Sequence, residues 1–252
     1  MWVNSWTGSG GGFSVPSHGS TGGNHGRIAD MSGLTLLFDL DGTMVDTDAL
    51  HLAAYNALLA PFGRSMTLAC YKARVMGFPN DTIMPELFPD RDAAEHARFA
   101  DAKEAAFRAS VDRLEPLAGL VDVLDWADAY GCARAVVTNA PRDNAELMLR
   151  GLGLRDRFST VVIGEELEVG KPHPLPYLTG LRLTGGHADR AVAFEDSLSG
   201  VRSASGAGIF TVGMLTSLPE DALRDAGASA VAADFRDPGL WGLLRDRLHP
   251  VA

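Results

Sequence analysis

The chain has 252 residues, of which 46% are hydrophobic and 21% are charged, a balance that is typical of globular proteins. Its formal net charge is −10, and an acidic surface repels nucleic-acid phosphates and anionic membrane surfaces. No stretch reaches the roughly 18 apolar residues that a membrane-spanning helix needs. We therefore expect neither a nucleic-acid partner nor a membrane partner.

Two cysteines, Cys70 and Cys132, lie far apart in the sequence and do not form a metal-binding spacing. Reduced thiols of this kind are typical of cytoplasmic proteins. We expect a cytoplasmic protein that is a monomer or a small homo-oligomer.

The first thirty residues differ in composition from the rest of the chain. They contain eight glycines and five serines, and only Arg27 and Asp30 carry charge. Such a segment buries too little apolar surface to offset its ordering entropy. We expect residues 1–30 to be a disordered leader or an expression tag before a native start at Met31.

The next part of the chain is a strand followed by a helical block. The apolar run 34–38 ends at Asp39 and predicts a buried parallel strand. Apolar residues with helical spacing predict a helix around residues 50–58, and a long helix is expected over 92–111. Between them, Asn80 or Asp81 is the expected cap of a short helix that ends near residue 88. No strand is predicted between residues 47 and 113, so this block is expected to be a helical insert.

After Pro116, strands and helices alternate along the chain. The predicted strands are 133–137, 160–163, 191–194 and 209–212, and the predicted helices are 142–151, 174–183 and 198–206. Short apolar strands separated by helices indicate a parallel sheet with helices on both faces. The predicted fold class is α/β with a Rossmann-like sheet and an inserted helical domain.

Polar residues follow several of the predicted strands. In open parallel sheets, ligands bind outside the carboxyl ends of the strands. The residues placed at these ends, or in a loop before a helix, are Asp39, Asp41, Thr138, Asn139, Lys171, Glu195 and Asp196. The sequence therefore predicts one polar site at this edge of the sheet.

The composition of this set indicates phosphate chemistry. Clustered carboxylates repel one another unless a cation lies among them, and hard oxygen ligands suit Mg²⁺. The metal and Lys171 would supply the positive charge that lets a carboxylate attack a phosphate ester. Asp39 and Asp41, two residues apart, can divide the work, because one can attack while the other moves protons.

Four short motifs resemble those of the haloacid dehalogenase-like (HAD) superfamily. The segment 38–43, Phe-Asp-Leu-Asp-Gly-Thr, resembles its first motif. Thr138-Asn139 resembles the second, Lys171 the third, and the Glu-Asp-Ser segment 195–197 the fourth. The motifs occur in order and cover roughly residues 34–212, so the resemblance is specific.

The resemblance implies roles for the matched residues. Asp39 would be the nucleophile, and Asp41 would protonate the leaving oxygen and then activate water. Thr138 and Lys171 would bind the transferring phosphoryl group. The implied Mg²⁺ ligands are Asp39, Asp41 through its carbonyl oxygen, Glu195 and Asp196.

The resemblance also divides the chain into domains. Residues 31–46 and 114–252 would form the α/β core, and residues 47–113 would form a helical cap of the C1 type that closes over the cleft. Dehalogenases of this superfamily lack the second aspartate, so Asp41 indicates a phosphatase or a relative. The capped members that the chain resembles are the β-phosphoglucomutase-like, sugar-phosphatase and phosphoglycolate-phosphatase group.

Residues of the cap and of the second motif are candidate substrate contacts. His51 is expected to face the cleft, and Asn80 lies near the position where the mutase carries a phosphate-binding arginine. An amide replaces bidentate phosphate recognition poorly, so Asn80 weighs against a mutase unless Lys72 or Arg74 compensates. Asn139 and Arg142 are further candidate substrate contacts.

The function expected from the sequence is a Mg²⁺-dependent phosphatase that hydrolyses a small phosphorylated metabolite through an aspartyl-phosphate. A sugar phosphate is the favoured substrate, and phosphoglycolate is a second possibility. The alternatives are a β-phosphoglucomutase-like phosphomutase and a non-catalytic binding protein on the same scaffold. A phosphonate hydrolase would need a cap lysine placed for imine formation, and the sequence indicates no clear candidate.

Overall fold

A computed structural model describes residues 33–248 of the chain. The predicted leader, residues 1–30, lies outside the described residues. The centre of the fold is one parallel six-stranded sheet with the strand order β3-β2-β1-β4-β5-β6. Its strands are β1 Thr35–Phe38, β2 Ala133–Thr138, β3 Val161–Ile163, β4 Ala191–Glu195, β5 Phe210–Met214 and β6 Ala230–Ala232.

The five strands predicted from the sequence are all present, with ends that differ by at most two residues. The predicted α/β fold is thereby confirmed. The sequence did not predict β6, because a three-residue segment of alanine and valine at the edge of a sheet carries no periodic pattern.

Ten α-helices accompany the sheet in the described part of the chain. They are α1 Asp48–Leu59, α2 Leu68–Arg74, α3 Asn80–Leu87, α4 Ala93–Ser110, α5 Leu120–Ala129, α6 Arg142–Gly151, α7 Leu175–Thr184, α8 Leu198–Gly206, α9 Glu220–Asp225 and α10 Pro238–Leu248. Apolar residues of α5, α6 and α10 share a buried cluster with one face of the sheet. Residues of α7 and α8 share a second cluster with the other face. Helices therefore cover both faces, as the sequence predicts. None of the helices in this part of the chain has the length and apolar character needed to cross a membrane.

Strand β1 lies in the middle of the sheet and is buried along its whole length. Its last residue, Phe38, stacks on Phe194 of β4 with ring centroids 4.8 Å apart and also contacts Phe158 and Phe235. In the register of the sheet, Phe38 lies opposite Val136 of β2 and Phe194 of β4. This aromatic cluster fixes the end of β1, and hence the position of the next residue, Asp39.

Residues 47–113 contain the four helices α1 to α4 and no strand. Tyr55, Tyr71, Ile83, Met84 and Phe88 belong to a hydrophobic cluster within this insert that is separate from the clusters of the sheet. The insert therefore has an apolar core of its own, which supports the predicted helical cap. The bounds of this domain stay a prediction.

The N-terminal ends of α3 and α4, in the insert, are capped in different ways. Helix α4 begins with a capping box, in which the Asp92 side chain accepts from the Glu95 N–H at 2.8 Å. The expectation that Asn80 or Asp81 caps α3 was wrong, because Pro79 occupies the N-cap position. The Asn80 side chain contacts Glu104 of α4 instead.

Replacing Phe38 by alanine is expected to reduce the free energy of unfolding by about 3–5 kcal/mol, because the ring is fully buried among three other rings. Urea unfolding measures this loss. The Leu183→Ala control removes a side chain that is 52% exposed and should cost less than about 1 kcal/mol. Equal losses in both variants would contradict the central place given to Phe38.

Candidate active site

The carboxyl ends of the central strands bring three acidic side chains together. Asp39 follows β1, and Glu195 and Asp196 lie at the end of β4. Each offers a carboxylate oxygen, and these oxygens lie within 4.8 Å of one another. All three side chains are buried, with Glu195 fully excluded from solvent. This cluster lies at the edge of the sheet where the sequence predicts a site.

Lys171 lies between two of these carboxylates. Its Nζ is 2.6 Å from Asp39 Oδ1 and 2.5 Å from Glu195 Oε1, and the residue is only 2% exposed. Burial alone would lower the pKa of Lys171, but the charges of Asp39 and Glu195 outweigh burial and raise that pKa. Lys171 is therefore a fixed positive charge that touches the predicted nucleophile.

Two residues hold this lysine and its partner in place. Asn139 Oδ1 accepts from the Lys171 N–H at 3.0 Å, and Asn139 Nδ2 donates to the Lys171 carbonyl at 3.1 Å. Tyr177 of α7 donates its hydroxyl to Glu195 Oε1 at 2.6 Å, and Lys171 Nζ lies 5.2 Å from the centre of its ring. The structure thus gives Asn139 a positioning role, and Tyr177 is a site residue that the sequence analysis missed.

The carboxylate cluster has the properties of a cation site. Asp196 Oδ2 is buried and has no hydrogen-bond partner among the described residues. Burial, and next the charge of Glu195, raise the pKa of Asp39 to about 8 despite the contact with Lys171. Burial and the charge of Asp39 also raise the pKa of Asp196. A divalent cation relieves such repulsion and uses the unpaired oxygen, so the residues fit the Mg²⁺ that the sequence predicts.

Gly42 allows the first motif to approach this cluster. Its φ is +74°, and a Cβ atom there would lie 1.9 Å from Asp196 Oδ2. A side chain at this position would therefore displace the Asp196 carboxylate. The turn after β1 depends on glycine for both its backbone conformation and its contact with the acidic cluster.

The Asp41 side chain contacts the first helix of the insert. Its Oδ1 accepts from the Thr47 hydroxyl at 2.6 Å and lies 3.0 Å from His51 Nε2. His51 Nδ1 lies 2.9 Å from Lys103 Nζ, and an ammonium group only donates. Nδ1 is therefore the acceptor, and Nε2 carries the proton that His51 donates to Asp41.

This chain of donors favours the ionised form of Asp41. Burial would raise the pKa of Asp41, but the hydrogen bonds from His51 and Thr47 and the nearby charge of Lys103 outweigh burial and lower that pKa. The His51 ring stacks on Phe107 with centroids 4.1 Å apart, which fixes its orientation. The structure therefore separates the two aspartates of the first motif, because Asp39 faces Lys171 and Asp41 faces His51.

The insert covers the site through the loop before α3. The Gly77 carbonyl accepts from Asn139 Nδ2 at 3.0 Å and from the Ser199 hydroxyl at 2.6 Å. Gly77 has a φ of +78°, and a Cβ atom there would lie 2.5 Å from Ser197 Oγ. Contact this close encloses a cleft between the insert and the sheet. The predicted site residues that line it are Asp39, Asp41, His51, Asn80, Thr138, Asn139, Lys171 and Asp196.

Three basic residues named from the sequence do not enter the cleft. Arg142 donates to both carboxylate oxygens of Glu166, at 2.5 and 2.6 Å. Lys72 donates to the Ser217 carbonyl at 2.8 Å, and Arg74 pairs with Glu86 on the surface. Neither Lys72 nor Arg74 replaces an arginine at the position of Asn80.

Two residues of α4 line the cleft although the sequence analysis did not name them. Lys103 and Glu104 are both buried and form an ion pair of 2.9 Å. A charged pair in a long helix usually lies on its solvated face, so sequence alone gave no reason to place this pair in a site. A lysine of the insert therefore faces the cleft, and its ammonium contacts Glu104 and His51.

The chain is similar in sequence and in fold to known hydrolases. The family model of the haloacid dehalogenase-like hydrolases matches residues 36–214. A phosphorylated carbohydrates phosphatase of Thermotoga maritima is 32% identical over 203 residues, which are 78% of this chain and 92% of that protein. A phosphoglycolate phosphatase of Xylella fastidiosa is 32% identical over 176 residues, or 69% and 77% of the two chains. A crystal structure of a CbbY mutant from Rhodobacter sphaeroides with xylulose-(1,5)bisphosphate superposes with a TM-score of 0.70 at 26% identity, covering 81% of this chain and 95% of that one.

Asp39→Asn is expected to stabilise the metal-free protein at pH 8. The pKa of about 8 in the folded chain lies above the ordinary value of 3.8, so the carboxyl group destabilises the fold increasingly as pH rises from about 4 to 8. Thermal unfolding with a chelator should show a melting temperature at least about 3 °C higher at pH 8. This gain in melting temperature should shrink toward pH 5, where the Asp39 carboxyl group of the folded, unsubstituted chain is protonated.

The matched control is Asp101→Asn, which neutralises an exposed aspartate of α4. It should leave the melting temperature within about 1 °C at both pH values. An Asp39→Asn protein that is no more stable than the control at pH 8 would contradict the repulsion assigned to the acidic cluster.

Proposed function

The chain belongs to the haloacid dehalogenase-like hydrolase family, and from that membership we propose that it is a Mg²⁺-dependent phosphatase whose substrate is a small phosphorylated sugar. The observation that carries the proposal is the contact of Lys171 with Asp39 beside the buried, unpartnered oxygen of Asp196. A nucleophile, a fixed positive charge and a cation site then lie within one cleft. The named phosphatase relatives support the same reaction class.

Asp39 is the proposed nucleophile. Its carboxylate oxygen attacks the phosphorus atom, the bond from phosphorus to the ester oxygen breaks, and an aspartyl-phosphate forms. Lys171 offsets negative charge on the transferring group, and the hydroxyl of Thr138 lies in the same cleft to donate to it. Water then attacks the phosphorus atom, which releases inorganic phosphate and restores the carboxylate.

Asp41 is the proposed acid and base. Asp41 enters the first step with a proton taken from solvent, gives it to the departing ester oxygen, and takes one from the attacking water in the second step, so its protonation state is restored over one turnover. The contacts from Thr47 and His51 favour its ionised form, which is the form that the first step leaves and that accepts a proton from water. His51 is thus proposed to act through Asp41.

The proposed metal ligands are Asp39, Asp196, the Asp41 carbonyl oxygen and Glu195, directly or through water. Glu195 Oε1 already accepts from Lys171 and Tyr177, and its Oε2 accepts from the Ser197 hydroxyl at 3.4 Å, so contacts on both oxygens favour its action through water. A bound Mg²⁺ would neutralise charge on the phosphoryl oxygens. We also propose that the insert 47–113 acts as the cap that excludes water, since its Gly77 loop lies on Asn139 and Ser199.

The phosphomutase alternative is less well supported. A mutase holds a substrate with a phosphate at each end during its cycle, and no arginine lines the described cleft. The non-catalytic alternative is also less well supported, because the acids and Lys171 occur together in contact. A cytoplasmic location is proposed from the two cysteines, neither of which forms a disulfide.

Asp39→Asn is expected to lower phosphate release from the best substrate at least about a thousandfold, because the attacking oxygen is replaced by an amide. The assay follows inorganic phosphate from a panel of sugar phosphates, phosphoglycolate and nucleotides with Mg²⁺. Asp101→Asn serves as control and should retain normal turnover, whereas a chelator should stop turnover in every protein. Near-normal turnover by Asp39→Asn would refute the nucleophile assignment.

A further inference from the structure

The charges that face the cleft are unevenly distributed between acids and bases. Its lining includes five acidic residues, Asp39, Asp41, Asp48, Glu104 and Asp196, but the only lysines among the described lining residues are Lys103 and Lys171. Each of these lysines already contacts a carboxylate at 2.9 Å or less. His51 donates to Asp41 through Nε2 and accepts from Lys103 through Nδ1, so neither ring nitrogen is free to donate to a ligand. No cation of the described cleft is therefore left over for a second anionic group of a substrate.

Glu104 is the fixed negative charge on the insert side of the cleft. It accepts from Lys103 at 2.9 Å and Asn80 at 2.8 Å through Oε1, and from Asn144 at 2.6 Å through Oε2. Asn144 is fully buried and in turn accepts from Arg108 at 2.8 Å. Hydrogen-bond donors on both oxygens hold the Glu104 carboxylate in one orientation. Its charge therefore cannot rotate away from an incoming anion.

Asn80 faces the same part of the cleft with its hydrogen-bond donors already used. Its Nδ2 donates to Glu104 at 2.8 Å and lies 3.5 Å from Glu165 Oε1. Both neighbours are carboxylates, which only accept when ionised, so the amide nitrogen must face them. The group left for a ligand is Oδ1, which has no partner among the described residues. This oxygen accepts hydrogen bonds and repels anions.

We propose that Glu104 and Asn80 determine specificity by selecting phosphomonoesters whose remaining part offers hydroxyl or ammonium donors, and by rejecting esters with a second phosphate or a carboxylate. The inference rests on the proposed function, because it takes the cleft as a phosphate-ester site. The phosphate lies at the Lys171 end, where a metal would add positive charge. The rest of the substrate meets an acceptor and a fixed negative charge. The selected class is a neutral or amino carbohydrate monophosphate.

Binding to the Asp39→Asn protein with Mg²⁺ tests this selectivity without turnover. Calorimetric titration would compare glucose 6-phosphate, glucosamine 6-phosphate, fructose 1,6-bisphosphate and 2-phosphoglycolate. Both hexose monophosphates should bind at least about tenfold more tightly than the bisphosphate and phosphoglycolate. Equal or tighter binding of either compound that carries a second anionic group would overturn the inference.

Two variants in the same background test the residues themselves. Asn80→Arg adds a cation beside Glu104 and should reduce the preference for glucose 6-phosphate over fructose 1,6-bisphosphate by about tenfold. Thr82→Arg adds the same charge at an exposed position of α3 and should leave the preference unchanged. Glu104→Gln leaves Lys103 without its carboxylate and should improve binding of 2-phosphoglycolate relative to glucose 6-phosphate. If Asn80→Arg matches Thr82→Arg and Glu104→Gln changes nothing, the two residues do not set specificity.

Turnover by the chain with Asp39 intact separates this inference from the proposed function. Selective binding without phosphate release from any compound would refute the phosphatase and leave the selectivity standing. Phosphate release that is fastest from 2-phosphoglycolate or the bisphosphate would support the phosphatase and overturn the selectivity.

Discussion

The site depends on how three carboxylates are held at one buried edge of the sheet. Asp39, Glu195 and Asp196 lie close enough to repel one another, and each is removed from the water that would screen its charge. Lys171 compensates for part of this charge by contacting Asp39 and Glu195. Burial and the remaining negative charge raise the pKa of Asp39 and of Asp196. A divalent cation would balance what remains, because Lys171 offsets only one of the three carboxylate charges.

The rest of the fold keeps this charge arrangement in register. The aromatic cluster around Phe38 fixes the end of the central strand, and Gly42 lets the following turn pass within contact distance of Asp196. Asn139 binds both the N–H and the carbonyl of Lys171, so the second motif positions the third. Tyr177 extends the arrangement into α7 by holding Glu195. These contacts serve both stability and chemistry, because the hydrogen bonds that fix the loops also fix the orientation of the Lys171 side chain.

The sequence predicted the sheet and the acidic cluster because both depend on local patterns. Apolar runs locate the strands, and parallel strands deliver their terminal residues to one edge. Residues such as Lys103 and Glu104 could not be predicted, because their burial follows from how α4 packs against α1 and α6, and helical periodicity does not encode that packing. Arg142 shows the converse error. Its position after the second motif suggested a phosphate contact, but the nearby Glu166 carboxylate binds its guanidinium. Short-range charge partners of this kind depend on loop geometry that one sequence does not specify.

The insert and the sheet contribute different kinds of side chain to the cleft. The sheet supplies acids and a lysine that suit a phosphate and a cation, whereas α3 and α4 supply Asn80 and Glu104, which suit donor groups on the rest of a substrate. His51 and Lys103 join the two halves through Asp41. The proposed reaction and the proposed recognition therefore lie on different elements that face one cleft.

The nucleophilic role of Asp39 is tested most directly by trapping the covalent intermediate. The chain would be mixed with the substrate that releases phosphate fastest, quenched in acid within one turnover, digested and analysed by mass spectrometry. The added mass of one phosphoryl group is expected on the peptide that contains Asp39. A phosphoryl group on another residue, or hydrolysis that proceeds through a full turnover with no labelled peptide at any time point, would contradict the nucleophilic role.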